Sequence, residues 1–277
     1  LIFALCIFGG SKQISKITEV LVPFMGIFYL AVALFVTVTH YTLIPKMFSD
    51  IFSNAFDIQA IFGGFTGSCV MNGIKRGLFS NEAGVGSAPN AAASAAVSHP
   101  VKQGLVQMLS VFIDTILICS ATACLLLCSG VAPREELKGM PWVQAAASES
   151  LGGFGTVFIT VALCLFAFTT LIGNFYYAEM GLKYLCGKTP GKALLNLFRI
   201  IAALIVLAGA VMEFGLVWST ADVLMGFMAL INLPVILLLG GTAIRCMKDY
   251  MRQKKEGRNP VFKASDIGLK EKTDFWN

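Results

Sequence analysis

The sequence predicts an all-α protein that crosses a membrane several times, and three observations predict it. Of its 277 residues 56% are hydrophobic and only 13% charged, where soluble domains average about 25% charged. So little polar surface cannot coat a water-borne globule of this size, so lipid is the solvent for much of the chain. Apolar runs of roughly the 20 residues needed to cross a bilayer recur along it. Lysine and arginine collect at alternate ends of those runs. The net charge of +5 therefore bears on topology, and no basic face with interleaved aromatics suggests nucleic acid.

The chain opens inside an apolar run, Leu1 to Phe8, without an initiator Met or signal-peptide pattern. That run is too short to cross and is expected to be the tail of a helix that starts upstream. Six spans are then expected, at 17–39, 58–79, 105–127, 154–177, 193–212 and 217–244, followed by a basic tail, 245–277. Between the first two, Tyr41 to Phe56 carries apolar residues at helical spacing among polar ones, as in a helix lying on the membrane surface. Lys12 and Lys16, then Lys75, Arg76 and Lys102, then Lys183, Lys188 and Lys192, and finally Arg245 to Lys255 mark the cytoplasmic side. Six crossings make these four places alternate correctly and put the C-terminus in the cytoplasm. The eight cysteines lie scattered in apolar segments with no CxxC pair, and read as small core residues.

Two stretches break the pattern. The span 58–79 contains Gly63, Gly64, Gly67, Gly73 and Gly77, and glycine costs about 1 kcal/mol relative to alanine inside a helix. Either the helix is interrupted there or neighbouring helices approach it closely. A second Gly/Ala/Ser-rich stretch, Ser80 to Ser98, follows. An interrupted helix frees amides that suit a carboxylate and carbonyls that suit an ammonium or a cation. Gly63, Gly64, Phe65, Thr66 and Gly67 are the favoured substrate-lining break, and Ser80 to Ser87 is the other candidate. Tight packing without a ligand is the plain alternative for both.

The run Lys75-Arg76-Gly77-Leu78-Phe79-Ser80-Asn81-Glu82-Ala83-Gly84-Val85-Gly86-Ser87-Ala88-Pro89 resembles the signature of the alanine/glycine:cation symporter family. Phe168 to Gly173 and Ala229 to Pro234 extend the resemblance to nearly the whole chain before the basic tail. It implies part of a broken-helix, inverted-repeat transporter fold (LeuT-like, APC superfamily), with these spans as its fifth to tenth core helices. It also implies symport of sodium with alanine, glycine or D-alanine across a plasma membrane, a bacterial inner membrane above all. No cofactor is implied beyond the co-transported ion, and the remaining N-terminal portion of the transporter is implied as a partner. Within the signature, Arg76, Ser80, Asn81, Glu82, Gly84 and Gly86 are the motif or gating candidates. Asn81 and Glu82 also suit the start of a helix over Ala91 to Ala96.

By the same resemblance, the carbonyl of Phe166 and the hydroxyls of Thr169 and Thr170 form half of a sodium shell. The other half would come from a core helix outside this chain. Threonine hydroxyls also bond back to their own helix carbonyls, and both readings stay open here. Asn174, one turn after Thr170, stands where many family members carry Trp, and offers hydrogen bonds in place of indole bulk to the substrate. Asp114, in an apolar run, should face protein or water. His40 and His99 read as loop or interface residues.

Rival classes fit less well. An intramembrane enzyme needs a convergent nucleophile and base or a metal set, and no such spacing occurs in the sequence. A proton-coupled or other small amino-acid carrier keeps the same fold, and a channel or structural subunit differs in not accumulating substrate. The topology makes a direct prediction. In sealed cells, an impermeant thiol reagent applied outside labels a Glu136→Cys variant and spares native Cys186 and Lys188→Cys; the opposite pattern inverts the orientation.

Overall fold

The structure is a computed structural model, and it describes residues 2–8, 11–55, 67–80, 82–132, 134, 137, 139–187, 190–269 and 276. Among them there is no strand. The helices are α1 (Ile2–Phe8), α2 (Ser11–Thr39), α3 (Ile44–Ala55), α4 (Gly67–Ser80), α5 (Ala88–Ala92), α6 (Pro100–Phe112), α7 (Ser120–Cys128), α8 (Met140–Leu151), α9 (Gly153–Leu185), α10 (Lys192–Val211) and α11 (Phe214–Lys255). A π-helical segment, Ile113–Cys119, joins α6 to α7. Five stretches among the described residues are long and apolar enough to cross a membrane: Glu19–Thr39, Pro100–Cys128, Gly153–Leu185, Lys192–Val211 and Phe214–Lys255. The sixth expected span, 58–79, lies partly outside the described residues, which enter it at α4.

Two boundaries differ from the sequence reading. The helix that contains the expected span 217–244 continues into the expected tail as far as Lys255, because its last turns bury Asp249, Tyr250 and Gln253 on one face while Lys254 and Lys255 stay exposed. Of the stretch Ala91 to Ala96 only Ala91 and Ala92 are helical, at the end of α5. Alanines favour a helix, but α5 ends at Ala92, and a five-residue helix holds too few hydrogen bonds to propagate further.

The contacts form two compact units, Leu1–Arg76 with Ile113–Val211, and Gly77–Phe112 with Met212–Asn277. The first is organised on α9, which packs against α8, α2 and α1. Its core joins Tyr29, Val32, Ala33 and Val36 of α2, Leu125 of α7, Val143, Ala146 and Ala147 of α8, and Phe158, Ile159 and Ala162 of α9. Four alanines in that set let backbones approach, and close approach is what holds helices together where lipid is as apolar as the core. Tyr29 adds a directed contact: its hydroxyl meets Thr122 Oγ1 at 2.8 Å, and Thr122 in turn donates to the Ile118 carbonyl in the π segment at 3.0 Å. A second cluster, Phe3 and Ile7 with Ile172 and Phe175, seats α1 on α9 beside Phe198 of α10.

In the second unit the residues after α11 fold back as a strap. Phe262 N–H donates to the Ser98 carbonyl at 2.9 Å, Ser98 Oγ to the Pro260 carbonyl at 3.0 Å, and Lys102 Nζ to Asn259 Oδ1 at 2.6 Å. Gln253 holds Val261 through both of its amide atoms. His99 lies beneath this strap, fully buried, between the rings of Tyr250 and Phe262. The sequence reading placed it at a loop or interface; the returning strap, separated by more than a hundred residues, is what covers it.

His99 Nδ1 accepts the Val101 N–H at 3.2 Å, so the neutral ring carries its proton on Nε2, which lies 3.4 Å from Asp249 Oδ2. Burial pushes the imidazole below its ordinary 6.5; the hydrogen bond and charge of Asp249 oppose that shift and the charge of Lys102 adds to it. Asp249 is also paired with Arg252. With the folded pKa lowered, the unfolded chain takes up a proton as the pH falls through 6.5 and the folded chain does not, so the stabilisation is present above 6.5 and lost below it. The melting temperature in detergent is expected to fall from about pH 7 to about pH 5.5, and His99→Gln is expected to flatten that slope; equal slopes in both proteins count against the buried neutral ring.

Candidate functional site

The signature stretch forms a closed loop after α4. Glu82 N–H donates to the Phe79 carbonyl at 3.1 Å and Gly84 N–H to the Leu78 carbonyl at 3.2 Å, satisfying carbonyls that the end of a helix leaves open. Glu82 itself adopts φ 56°, a left-handed conformation rare outside glycine. Its carbonyl accepts Gly86 N–H at 3.0 Å, and its carboxylate accepts the Ser87 hydroxyl. Glu82 is therefore committed to its own loop and does not cap the Ala91 to Ala96 stretch. Val85 and Ser87 are buried.

Both glycines of the loop are sterically required. At Gly84 a Cβ would stand 2.6 Å from Leu78 Cδ2 and 2.9 Å from the Leu78 carbonyl oxygen. At Gly86, φ is +87° and a Cβ would stand 2.6 Å from Asn232 Cγ. Asn232, in α11 two residues before Pro234, donates from Nδ2 to the carbonyls of Ala83 at 3.0 Å and Gly84 at 2.9 Å. Sequence reasoning placed Asn232 only within a resembling segment and gave it no task; an asparagine inside an apolar helix, which needs partners there, was the available signal. By contrast a Cβ at Gly73 or Gly77 meets nothing within 4 Å among the described residues.

The remaining candidates are distributed as follows. Gly63, Gly64, Phe65, Thr66 and Asn81 lie outside the described residues, and Gly67 is the first residue of α4. Arg76 and Ser80 are exposed. On α9, Thr169 is buried and its hydroxyl sits 3.1 Å from the Leu165 carbonyl and 3.0 Å from the Phe166 carbonyl. Thr170 and Asn174 are exposed, and with half-buried Phe166 they fall on one stripe at four-residue spacing. The structure thus brings Phe166 to Thr169 and turns Thr170 to an adjacent face. Farther along α9, Glu179 is buried and paired with Lys183 at 2.7 Å, a carboxylate that drew no notice in the sequence. Asp114 is the second residue of the π segment and is half-buried; π segments concentrate at functional sites.

Residues 1–264 match the sequence model of the Sodium:alanine symporter family. The chain belongs to that family. It is 44% identical over 273 residues to the amino-acid carrier protein AlsT of Bacillus subtilis, covering 99% of this chain and 58% of that protein. It is 42% identical to the probable sodium/glutamine symporter GlnT of Bacillus subtilis, covering 94% of this chain and 54% of that one. To the sodium/alanine symporter AgcS of Methanococcus maripaludis it is 40% identical, over 92% of this chain and 56% of the relative. The chain thus spans a little more than half the length of these relatives. The family is one of transporters and not of enzymes, and the apolar helices of this chain fit a multi-pass membrane protein.

The contrast among the glycines is testable in this chain. Gly84→Ala is expected to lower thermal stability by about 1–3 kcal/mol through overpacking against Leu78. Gly73→Ala, with open space around it, is expected to be neutral or to stabilise α4 by up to about 1 kcal/mol. Melting curves of the two variants in detergent decide it, and similar stability for both would refute the crowding at Gly84.

Proposed function

We propose that this chain is the C-terminal part of a sodium-coupled symporter for a small neutral amino acid. Together with the further portion that the length of its relatives represents, it carries alanine, glycine or D-alanine with sodium by alternating access across a plasma membrane, a bacterial inner membrane above all, with its C-terminus cytoplasmic. The observation that carries the reading is the family match across residues 1–264. The broken-helix inverted-repeat fold belongs to the same proposal, with the break at Gly63 to Gly67 lining the substrate and Arg76, Ser80, Asn81, Glu82, Gly84 and Gly86 in the motif that follows it.

Supporting the ion site is the geometry at Thr169. A hydroxyl that gives its proton to the carbonyl of Leu165 or Phe166 keeps its lone pairs for an acceptor role, which is how a hard cation uses an oxygen. Back-bonding and sodium ligation are therefore compatible at this residue. Phe166 and Thr170 supply further oxygens of the half shell. One charge moving down 100 mV is worth about 2.3 kcal/mol before any concentration gradient is counted, enough to drive accumulation.

A second reading, a larger amide substrate, is favoured by Asn174, which is exposed one turn after Thr170 on the same stripe. Excess unlabelled glutamine separates the two: it suppresses alanine uptake only if the pocket takes the larger side chain.

In vesicles carrying the full-length carrier, Thr170→Ala and Thr169→Ala are each expected to weaken apparent sodium affinity about tenfold or more, since a lost ligand to a charge costs on the order of 1.5–3 kcal/mol. Unchanged sodium dependence in both removes the ion site from α9. Saturable accumulation driven by a sodium gradient establishes a carrier, whereas flux that only equilibrates points to a channel. Uptake that follows a proton gradient instead replaces sodium in the scheme.

A further inference from the structure

We infer that Asn232 is a positioning residue for transport: its carboxamide docks the loop 82–87 onto α11, and the glycine spacing of the signature exists to admit it. The inference rests on the proposed carrier function and adds to it a residue outside both the signature and the ion site.

The amide nitrogen of Asn232 has two hydrogens, and the loop offers two carbonyls to it, those of Ala83 and Gly84, at 3.0 and 2.9 Å. Those carbonyls converge because Glu82 turns left-handed and because Gly86 N–H closes back on the Glu82 carbonyl. A side chain on Gly86 would stand where the Asn232 carboxamide is, and one on Gly84 would push the loop off Leu78. Leu78 and Phe79, whose carbonyls the same loop caps, are the last turn of α4. Asn232 is thus the point at which the end of α4 is fastened to α11.

A carboxamide is suited to the task. It is neutral, so an apolar helix carries it at lower cost than a charge, and its two donors fix both the distance and the orientation of the loop. Aspartate has the same shape and the opposite polarity, setting oxygens against two carbonyl oxygens. Asn232→Asp is therefore the informative change, with Asn232→Ala as a variant that removes the donors without adding repulsion.

The test reads docking and transport separately in the full-length carrier. With the eight cysteines of this chain and any in the remaining portion of the carrier replaced, and Val85→Cys introduced at a buried loop position, maleimide labelling in detergent reports whether the loop is seated. Asn232→Asp and Asn232→Ala are expected to speed that labelling about tenfold or more, the factor set by losing two neutral hydrogen bonds. In vesicles, the same substitutions are expected to lower Vmax for alanine about tenfold while leaving KM and apparent sodium affinity within about threefold. Gly86→Ala should reproduce both effects, and combined with Asn232→Ala the losses should be less than additive, because the clash partner is gone. Labelling that ignores Asn232 overturns the docking. Faster labelling with unchanged Vmax, or a loss confined to KM, overturns the positioning role. Absence of uptake in the unsubstituted carrier, with the labelling pattern as expected, refutes the carrier reading and the positioning role together and leaves the docking standing.

Discussion

The architecture depends on one constraint: in an apolar solvent each main-chain N–H and C=O must find its partner within the protein. Long helices meet it by default, which is why five long apolar stretches account for so much of the described residues. The informative places are those where the helical ladder departs from its ordinary form. At the end of α4 the loop's own amides cap the open carbonyls, and a side chain of α11 takes two of the loop's. In the π segment, Thr122 takes up the Ile118 carbonyl and passes the connection to Tyr29 of α2. Each irregularity is tied by a specific polar side chain to an element distant in the sequence.

Packing follows from the same solvent. Lipid does not drive helices together by itself, so contacts rely on shape and on small residues, and the α2–α7–α8–α9 core is rich in alanine for that reason. α10 shows the reverse: none of its residues is buried among the described ones, and Leu194, Leu197, Ile201, Leu204 and Ile205 are exposed. Such a helix is held at its α1 contact and otherwise presents apolar side chains outward.

What was legible in the sequence was whatever depends on local composition. Span positions followed from apolar length, and the signature stretch stood out because its glycines, Asn81 and Glu82 interrupt two apolar neighbourhoods. The illegible part depends on long-range return of the chain. His99 read as a loop residue because no local pattern announces that Phe262 and Tyr250 will enclose it. The span within α11 read as ending at Ile244 because the charges beyond it resemble a solvated tail, and the buried face of Asp249, Tyr250 and Gln253 exists only once the strap is in place. Asn232 was visible as a polar residue in an apolar helix, yet its partners lie about 150 positions away in the chain. The alanines at 91–96 misled in the other direction: they favour a helix by propensity, yet α5 ends at Ala92.

The strap also fixes an order of events during synthesis. Ser98 is bonded to Pro260 across 162 positions, so the loop ahead of α6 waits for its partner until those further residues have been made. At about 5–20 residues per second that interval is roughly 8–30 s. Throughout it Ser98, His99 and Lys102 lack the cover that Asn259, Pro260 and Phe262 later give them, and this loop closes only when that strap arrives.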